Sequence, residues 1–181
     1  MRTRFIVTFA IGIALATIGC GKEIGDACIV NSDCSQNGGR QCDTGIGGSK
    51  DGYCTIQGCD YSTCPSEAVC VRFFTGSFDN RPCDPATEDH TTAPTTNDCS
   101  LDELCALAPT TSNAPGHCVP RSSELRFCMR KCDQDSDCRG GYECRGLKQM
   151  KNDGGEPVLA PGASIDETAP KFCATAPAAP T

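Results

Sequence analysis

The chain has 181 residues, with 16 Lys and Arg against 23 Asp and Glu, for a net charge of −7. An acidic balance with no basic cluster excludes nucleic acid, or an anionic surface, as a partner recruited by charge. Seven Phe, three Tyr and no Trp supply little oily volume for a large core, whereas 17 Cys and 19 Gly point to a loop-rich fold stapled by disulfides.

The start of the chain has the pattern of an export signal. Arg2 and Arg4 give a short basic start, and Phe5 to Ile18 is mostly apolar, interrupted only by Thr8, Gly12 and Thr17. A permanent membrane helix needs about 20 apolar residues, so this run suits a segment removed after export. The stretch Leu15-Ala16-Thr17-Ile18-Gly19-Cys20 resembles the lipobox of bacterial lipoproteins, with Thr17 where that family usually has Leu. The resemblance implies cleavage before Cys20, a diacylglyceryl thioether on its sulfur and an acyl chain on its amine. It also implies an outer-membrane destination, because Gly21 stands where an Asp would signal inner-membrane retention. Residues 1–19 are then a lipoprotein signal peptide, and residues 20–27 a tether that ends at the first structural Cys.

Parity supports lipid on Cys20. Removing that residue leaves 16 cysteines, an even set of the kind a fully bridged exported domain shows. Cleavage also removes Arg2 and Arg4, leaving 14 basic and 23 acidic residues over 162 positions, a net charge of −9. No second long apolar run exists, so the membrane partnership predicted here runs through the lipid alone.

Four groups of four cysteines follow. Cys64-x5-Cys70-x12-Cys83 and Cys99-x5-Cys105-x12-Cys118 have identical gaps, and Asn31-Ser32-Asp33-Cys34 is matched by Asp135-Ser136-Asp137-Cys138. On these spacings the disulfide-rich region, 28–173, divides into units 28–54 (Cys28, Cys34, Cys42, Cys54), 59–83 (Cys59, Cys64, Cys70, Cys83), 99–128 (Cys99, Cys105, Cys118, Cys128) and 132–173 (Cys132, Cys138, Cys144, Cys173). Each unit is expected to carry its first two cysteines on a polar turn and its last two on a short β-hairpin. Four cysteines allow three connectivities; first-to-third with second-to-fourth is the one favoured here, the others remaining open.

In the first unit, Gln41 to Asp43 and Tyr53 to Ile56 flank a Gly-rich connection suited to a hairpin loop. In the last, Glu143 to Met150 and Glu156 to Ala160 flank Asp153-Gly154-Gly155, a hairpin signal. Only Leu101 to Ala108 has the composition of a helix, stopped by Pro109. The Thr-, Ala- and Pro-rich stretches 85–97 and 108–115 suit linkers or loop insertions, and 174–181 a flexible tail. The expected fold class is a small, disulfide-rich, loop-dominated protein with short β-hairpins, about four repeated Cys units and little helix.

The segment from Cys128 to Cys144, containing Asp135-Ser136-Asp137-Cys138-Arg139-Gly140-Gly141-Tyr142-Glu143-Cys144, resembles the Cys-rich turn of Dickkopf-type domains. It is similar to the centre of whey-acidic-protein modules as well, and to cysteine-rich bacterial lipoproteins that reuse this turn. The whey-acidic family has an adjacent Cys pair after this point, where Cys144 is followed by Arg145. The resemblance implies binding or scaffolding outside the cell and no chemistry.

Chemical constellations are few. Asp133, Asp135 and Asp137 alternate as calcium-loop ligands do, but Cys138 and Cys144 occupy the positions where an EF-hand needs Gly and Glu. A solvated turn is the expected reading. No Cys-x2-Cys occurs for zinc or redox exchange. The two histidines are His90 and His117; His117 adjoins Cys118 and would activate it only as a free thiol. Val71, Phe73 and Phe74 are a candidate recognition edge, expected instead to pack. The expected function is therefore that of a non-enzymatic, lipid-anchored extracytoplasmic protein with no cofactor, acting by binding a protein partner or as an envelope component. The alternative is a protease inhibitor presenting the loop 45–51 or 75–80.

Overall fold

A computed structural model describes residues 21–45, 51–76, 81–86 and 99–177. The signal peptide, Cys20, His90, most of both candidate inhibitor loops and the last four residues lie outside the described residues.

The sixteen remaining cysteines form eight disulfides, with Cα–Cα distances of 5.4–5.9 Å, inside the range a relaxed bridge requires. They resolve into four units of one design, joined to short antiparallel sheets, which is a small disulfide-rich, loop-dominated fold. So many bridges persist only in an oxidising compartment, outside the cytoplasm.

The first unit holds β1 (Ala27–Cys28), α1 (Asn31–Cys34), β2 (Gln41–Asp43) and β3 (Gly52–Thr55), with β3 central in the sheet. Its bridges are Cys28–Cys42 and Cys34–Cys54. Cys42 and Cys54 sit directly opposite one another on β2 and β3. Directly opposed residues share a face of the sheet, so both sulfurs point the same way and each takes one Cys of the preceding turn. The result is a turn clamped flat onto one face of a hairpin by two adjacent disulfides. The last unit repeats this on β9 (Tyr142–Arg145) and β11 (Phe172–Thr175): Cys144 faces Cys173, and the bridges are Cys132–Cys144 and Cys138–Cys173.

The two middle groups read from spacing regroup. Cys64 bonds Cys128 and Cys83 bonds Cys105, so neither 59–83 nor 99–128 closes on itself. The second unit is Cys59, Cys64, Cys70 and Cys128, with Cys70 facing Cys128 across the seven-residue ladder of β4 (Ala68–Phe74) and β8 (Glu124–Arg130). The third unit, Cys83, Cys99, Cys105 and Cys118, is inserted between those strands. It comprises β5 (Pro82–Cys83), β6 (Glu103–Leu107) and β7 (Gly116–Pro120), with Cys105 facing Cys118. With this regrouping all four units bond first to third and second to fourth. The shared Cys-x5-Cys gap is a real equivalence, whereas the shared x12 gap is coincidence: one copy spans a hairpin and the other joins two units.

Four local expectations are corrected. Leu101 to Ala108 is not a helix but contains β6, because Cys105 must lie opposite Cys118. Asp153-Gly154 is not a hairpin turn; it ends α2 (Leu147–Asp153), with Gly154 at φ 77° donating its N–H to the Met150 carbonyl. The chain then supplies β10 (Glu156–Pro157) to the free edge of β4. Residues 21–26 are not a loose tether. Ile24 is fully buried, the Gly25 N–H donates to the Cys54 carbonyl, and Glu23 pairs with Arg130 at 3.0 Å. In the same way β11 draws Ala174 and Thr175, assigned to a flexible tail, into the sheet.

Units one, two and four share one apolar core of Ile24, Tyr53, Val71, Phe127, Met129, Tyr142, Met150 and Phe172. Tyr53 stacks on Tyr142, and the Arg139 guanidinium lies 4.3 Å from the Tyr142 ring centre while donating to the Gly52 carbonyl. Burial pushes the Tyr53 phenol above its ordinary pKa. The inserted unit keeps its own small cluster of Leu104, Ala106 and Val119, against which Phe74 packs. Inside units one, three and four the buried clusters beneath the turns consist of cysteines alone, so the bridges stand where a larger domain would place aliphatic side chains.

Candidate functional site

The repeated Asx-Ser-Asp-Cys motif is a turn whose two acidic or amide positions have separate tasks. Asn31 Oδ1 accepts the Cys42 N–H and Asp135 Oδ1 accepts the Cys144 N–H, both at 2.8 Å, tying the turn to the third Cys of its unit. Asp33 Oδ2 accepts the N–H groups of Ile29 and Val30, and Asp137 Oδ2 those of Asp133 and Gln134. In unit two Thr63 Oγ1 takes the place of that carboxylate and accepts the Asp60 N–H.

Asp133, Asp135 and Asp137 therefore do not converge as calcium ligands; two of the three carboxylates are directed at backbone amides. The groups among the described residues that bring three ligand atoms within 4.8 Å are all cysteines of adjacent bridges. Disulfide sulfur offers no thiolate for a metal.

The backbone N–H bonds hold the Asp33 and Asp137 carboxyls below their ordinary pKa. A depressed folded-state value means the stabilisation is complete above the unfolded value of about 3.9 and is lost as pH falls through the folded one. The carboxyl ¹³C resonances of both residues are accordingly expected to titrate below those of ordinary Asp residues, with the amide shifts of Ile29 and Gln134 moving in step. Titration at the ordinary value would show that the turns do not depend on these bonds.

His117 has Nε2 3.1 Å from Ser112 Oγ, while Cys118 beside it is bridged to Cys99 and is no thiol. Ser112 Oγ also accepts the Ala114 N–H, so the pair closes the β6–β7 loop. His117 Nδ1 is buried and meets no hydrogen-bond partner. It lines a cleft of about 460 Å³ between the inserted unit and the α2–β10 segment, with Phe73, Phe74, Leu107 and Val119 as apolar walls. Such a volume falls in the range of small-ligand and side-chain pockets. Thr110 bonds Asn152 across its rim.

Val71, Phe73 and Phe74 do not form an exposed edge. β4 is the central strand of the β10-β4-β8 sheet, Val71 is fully buried, and Phe73 packs on Phe127 and Phe172.

Two charged residues that sequence reasoning passed over organise the walls of the cleft and its surroundings. Arg145, buried, donates to the carbonyls of Asp153, Gly154 and Thr175, placing a cation at the C-terminus of α2 where the helix dipole favours it. Glu156, also buried, accepts the Leu107 N–H on Oε1 and, on Oε2, two N–H groups of the Arg72 guanidinium, these at 2.9 and 2.7 Å. It thereby joins units two, three and four at one carboxylate.

No helix among the described residues is long and apolar enough to cross a membrane. Comparison with protein families, with curated proteins and with solved structures finds no match to this chain.

Proposed function

We propose that this chain is an exported lipoprotein, anchored through acylated Cys20, that works outside the cytoplasm as a binding or structural component of the envelope. The observation that carries the reading is the complete pairing of the sixteen cysteines from Cys28 to Cys173, which leaves Cys20 as the one cysteine for lipid to occupy. The bridged units supply a stiff scaffold, and the cleft beside the inserted unit is the surface on which a protein partner would seat an apolar side chain.

Mass spectrometry of the mature protein without reduction tests this in one measurement. The expected result is a first residue at Cys20 carrying a diacylglyceryl group and an amide-linked acyl chain, with a mass 16 hydrogens short of the fully reduced form because eight bridges are closed. An unmodified Cys20, or several free thiols, would sink the proposal. Incubation with common proteases separates the inhibitor alternative: inhibition without cleavage would replace the binding reading.

A further inference from the structure

The fold begins immediately after the residue assigned to the lipid. A β-carbon placed on Gly21 would lie 3.4 Å from the Cys34 carbonyl oxygen, so Gly21 is seated against the end of α1. Arg40 donates to the Lys22 carbonyl, and Lys22 Nζ donates to the Ala27 carbonyl at 2.7 Å. With Ile24 buried two residues later, no slack chain separates Cys20 from the first unit. Adjacent Cα atoms are about 3.8 Å apart, so an acylated Cys20 brings this end of the molecule to the headgroup region.

The same unit carries the most exposed large aliphatic side chain among the described residues. Ile29 is 83% exposed and Val30 51% exposed, at the tip of the turn that leads into α1. The tip lies at the N-terminal end of the one-turn helix α1, about 6 Å of rise from its last residue, Cys34, whose carbonyl Gly21 faces at the other end. The backbone that presents these side chains is fixed, because the N–H groups of both residues are held by Asp33. The last unit provides an internal comparison. Its equivalent turn is built on the same bonds to Asp137, yet its tip residues are Asp133 and Gln134. One backbone design thus ends in two aliphatic side chains in the unit that follows Cys20, and in polar ones in the last unit.

We infer that Ile29 and Val30 form an apolar wedge that enters the membrane interface beside the lipid, giving the protein a second attachment point and a fixed orientation. The inference rests on the anchor proposed above. The driving term is burial of aliphatic surface, not charge, in keeping with the acidic chain. Anchored in this way, the protein would hold its first unit against the bilayer and turn the Asp133–Asp137 turn and the inserted unit to a constant height and facing.

The absence of Trp in the chain makes the test direct. Ile29→Trp, Val30→Trp and Asp133→Trp variants, each in the full lipidated protein, would be reconstituted into zwitterionic vesicles with and without brominated acyl chains. Trp at 29 and at 30 is expected to emit at shorter wavelength and to be quenched by the brominated lipid, while Trp at 133 keeps the emission of a water-exposed ring. Two positions at the tip guard against one variant that folds poorly, and bridge count by mass identifies such a case. Water-like, unquenched emission at both tip positions in protein whose N-terminus carries the acyl mass would overturn the wedge and leave the anchor standing. Equal quenching at 29, 30 and 133 would overturn the fixed orientation. A missing acyl mass would overturn the anchor itself, and the wedge with it.

Discussion

Gly52→Ala is expected to give a chain in which Cys28 and Cys42 fail to pair. In β3, Gly52 lies directly opposite Cys28 of β1, and the Cys28–Cys42 bridge passes over it. A β-carbon there would meet Cys42 Sγ at 2.3 Å and Cys28 Sγ at 2.9 Å, both sulfurs of one bond. No rotamer change relieves that overlap, since the sulfurs are fixed by their own covalent geometry. Losing a native bridge from a small exported domain costs about 2–5 kcal/mol. Gly116 occupies the same place in the inserted unit, opposite Cys83, with an added β-carbon 2.6 Å from Cys105 Sγ. Gly116→Ala should therefore open Cys83–Cys105, while the shared core, to which the inserted unit contributes little, stays folded. Gly140→Ala, where a β-carbon meets nothing within 4 Å, serves as the comparison and should change stability by less than about 0.5 kcal/mol. Peptide mapping without reduction and urea midpoints measure all three. Eight closed bridges and an unchanged midpoint in Gly52→Ala would show that the sheet yields to the extra carbon.

These glycines also explain how much of the fold could be read in advance. The outer units were legible because the same turn, Asx-Ser-Asp-Cys, announces both, and each closes within a short stretch of chain. The middle pair was not, because one unit is nested in the hairpin of another and Cys70 and Cys128 are separated by 58 positions. A signal did exist. Gly52-Tyr53-Cys54 and Gly116-His117-Cys118 share a glycine two places before the fourth Cys, the room needed when a strand carrying the first Cys pairs alongside. That match would have placed Cys83 with Cys105 and Cys118.

Local propensity misled where tertiary demands overrode it. Leu101, Leu104 and Leu107 recur at a helical interval, yet the facing of Cys105 and Cys118 imposes a strand. Asp153-Gly154 serves equally well as a hairpin turn or as a helix end, and only the Arg145 guanidinium capping those carbonyls decides between them. The wedge and the cleft were illegible for a different reason: both depend on which surfaces lie next to each other after the turns are clamped. Sequence order separates Ile29 from Gly21 by eight positions, but does not show that the intervening chain is folded onto the first unit.

Glu156→Ala should loosen the inserted unit from the rest of the molecule. This carboxylate is 3% exposed and has no water to fall back on; its hydrogen bonds are the Leu107 N–H of β6 and two donors of Arg72 on β4. Truncation leaves a guanidinium that is itself 20% exposed facing an apolar wall without a counter-ion, and an amide without an acceptor. Breaking a buried pair from one side costs about 3–5 kcal/mol, and the partial exposure of Arg72 argues for the lower end. Glu156→Gln keeps an acceptor oxygen for the Leu107 N–H but turns an NH2 donor toward Arg72, so it loses the charge and the Arg72 bonds while the β6 amide stays paired, and its loss should be smaller. Arg72→Met together with Glu156→Gln should lose less than the two changes measured separately, because neither leaves the other's charge stranded. The structural consequence is as specific as the energetic one. Besides Glu156, the inserted unit is held by the packing of Phe74 on Leu104, Ala106 and Val119 and by the Thr110–Asn152 hydrogen bonds at the rim. Amide hydrogen exchange in β6 and β7 should therefore rise in Glu156→Ala while that of β9 and β11 stays near the parent, and the cleft lined by His117 should lose its fixed width. Uniform acceleration across all four units would mean that Glu156 supports global stability without hinging the insert, and unchanged exchange in β6 would mean that the apolar contacts hold it alone.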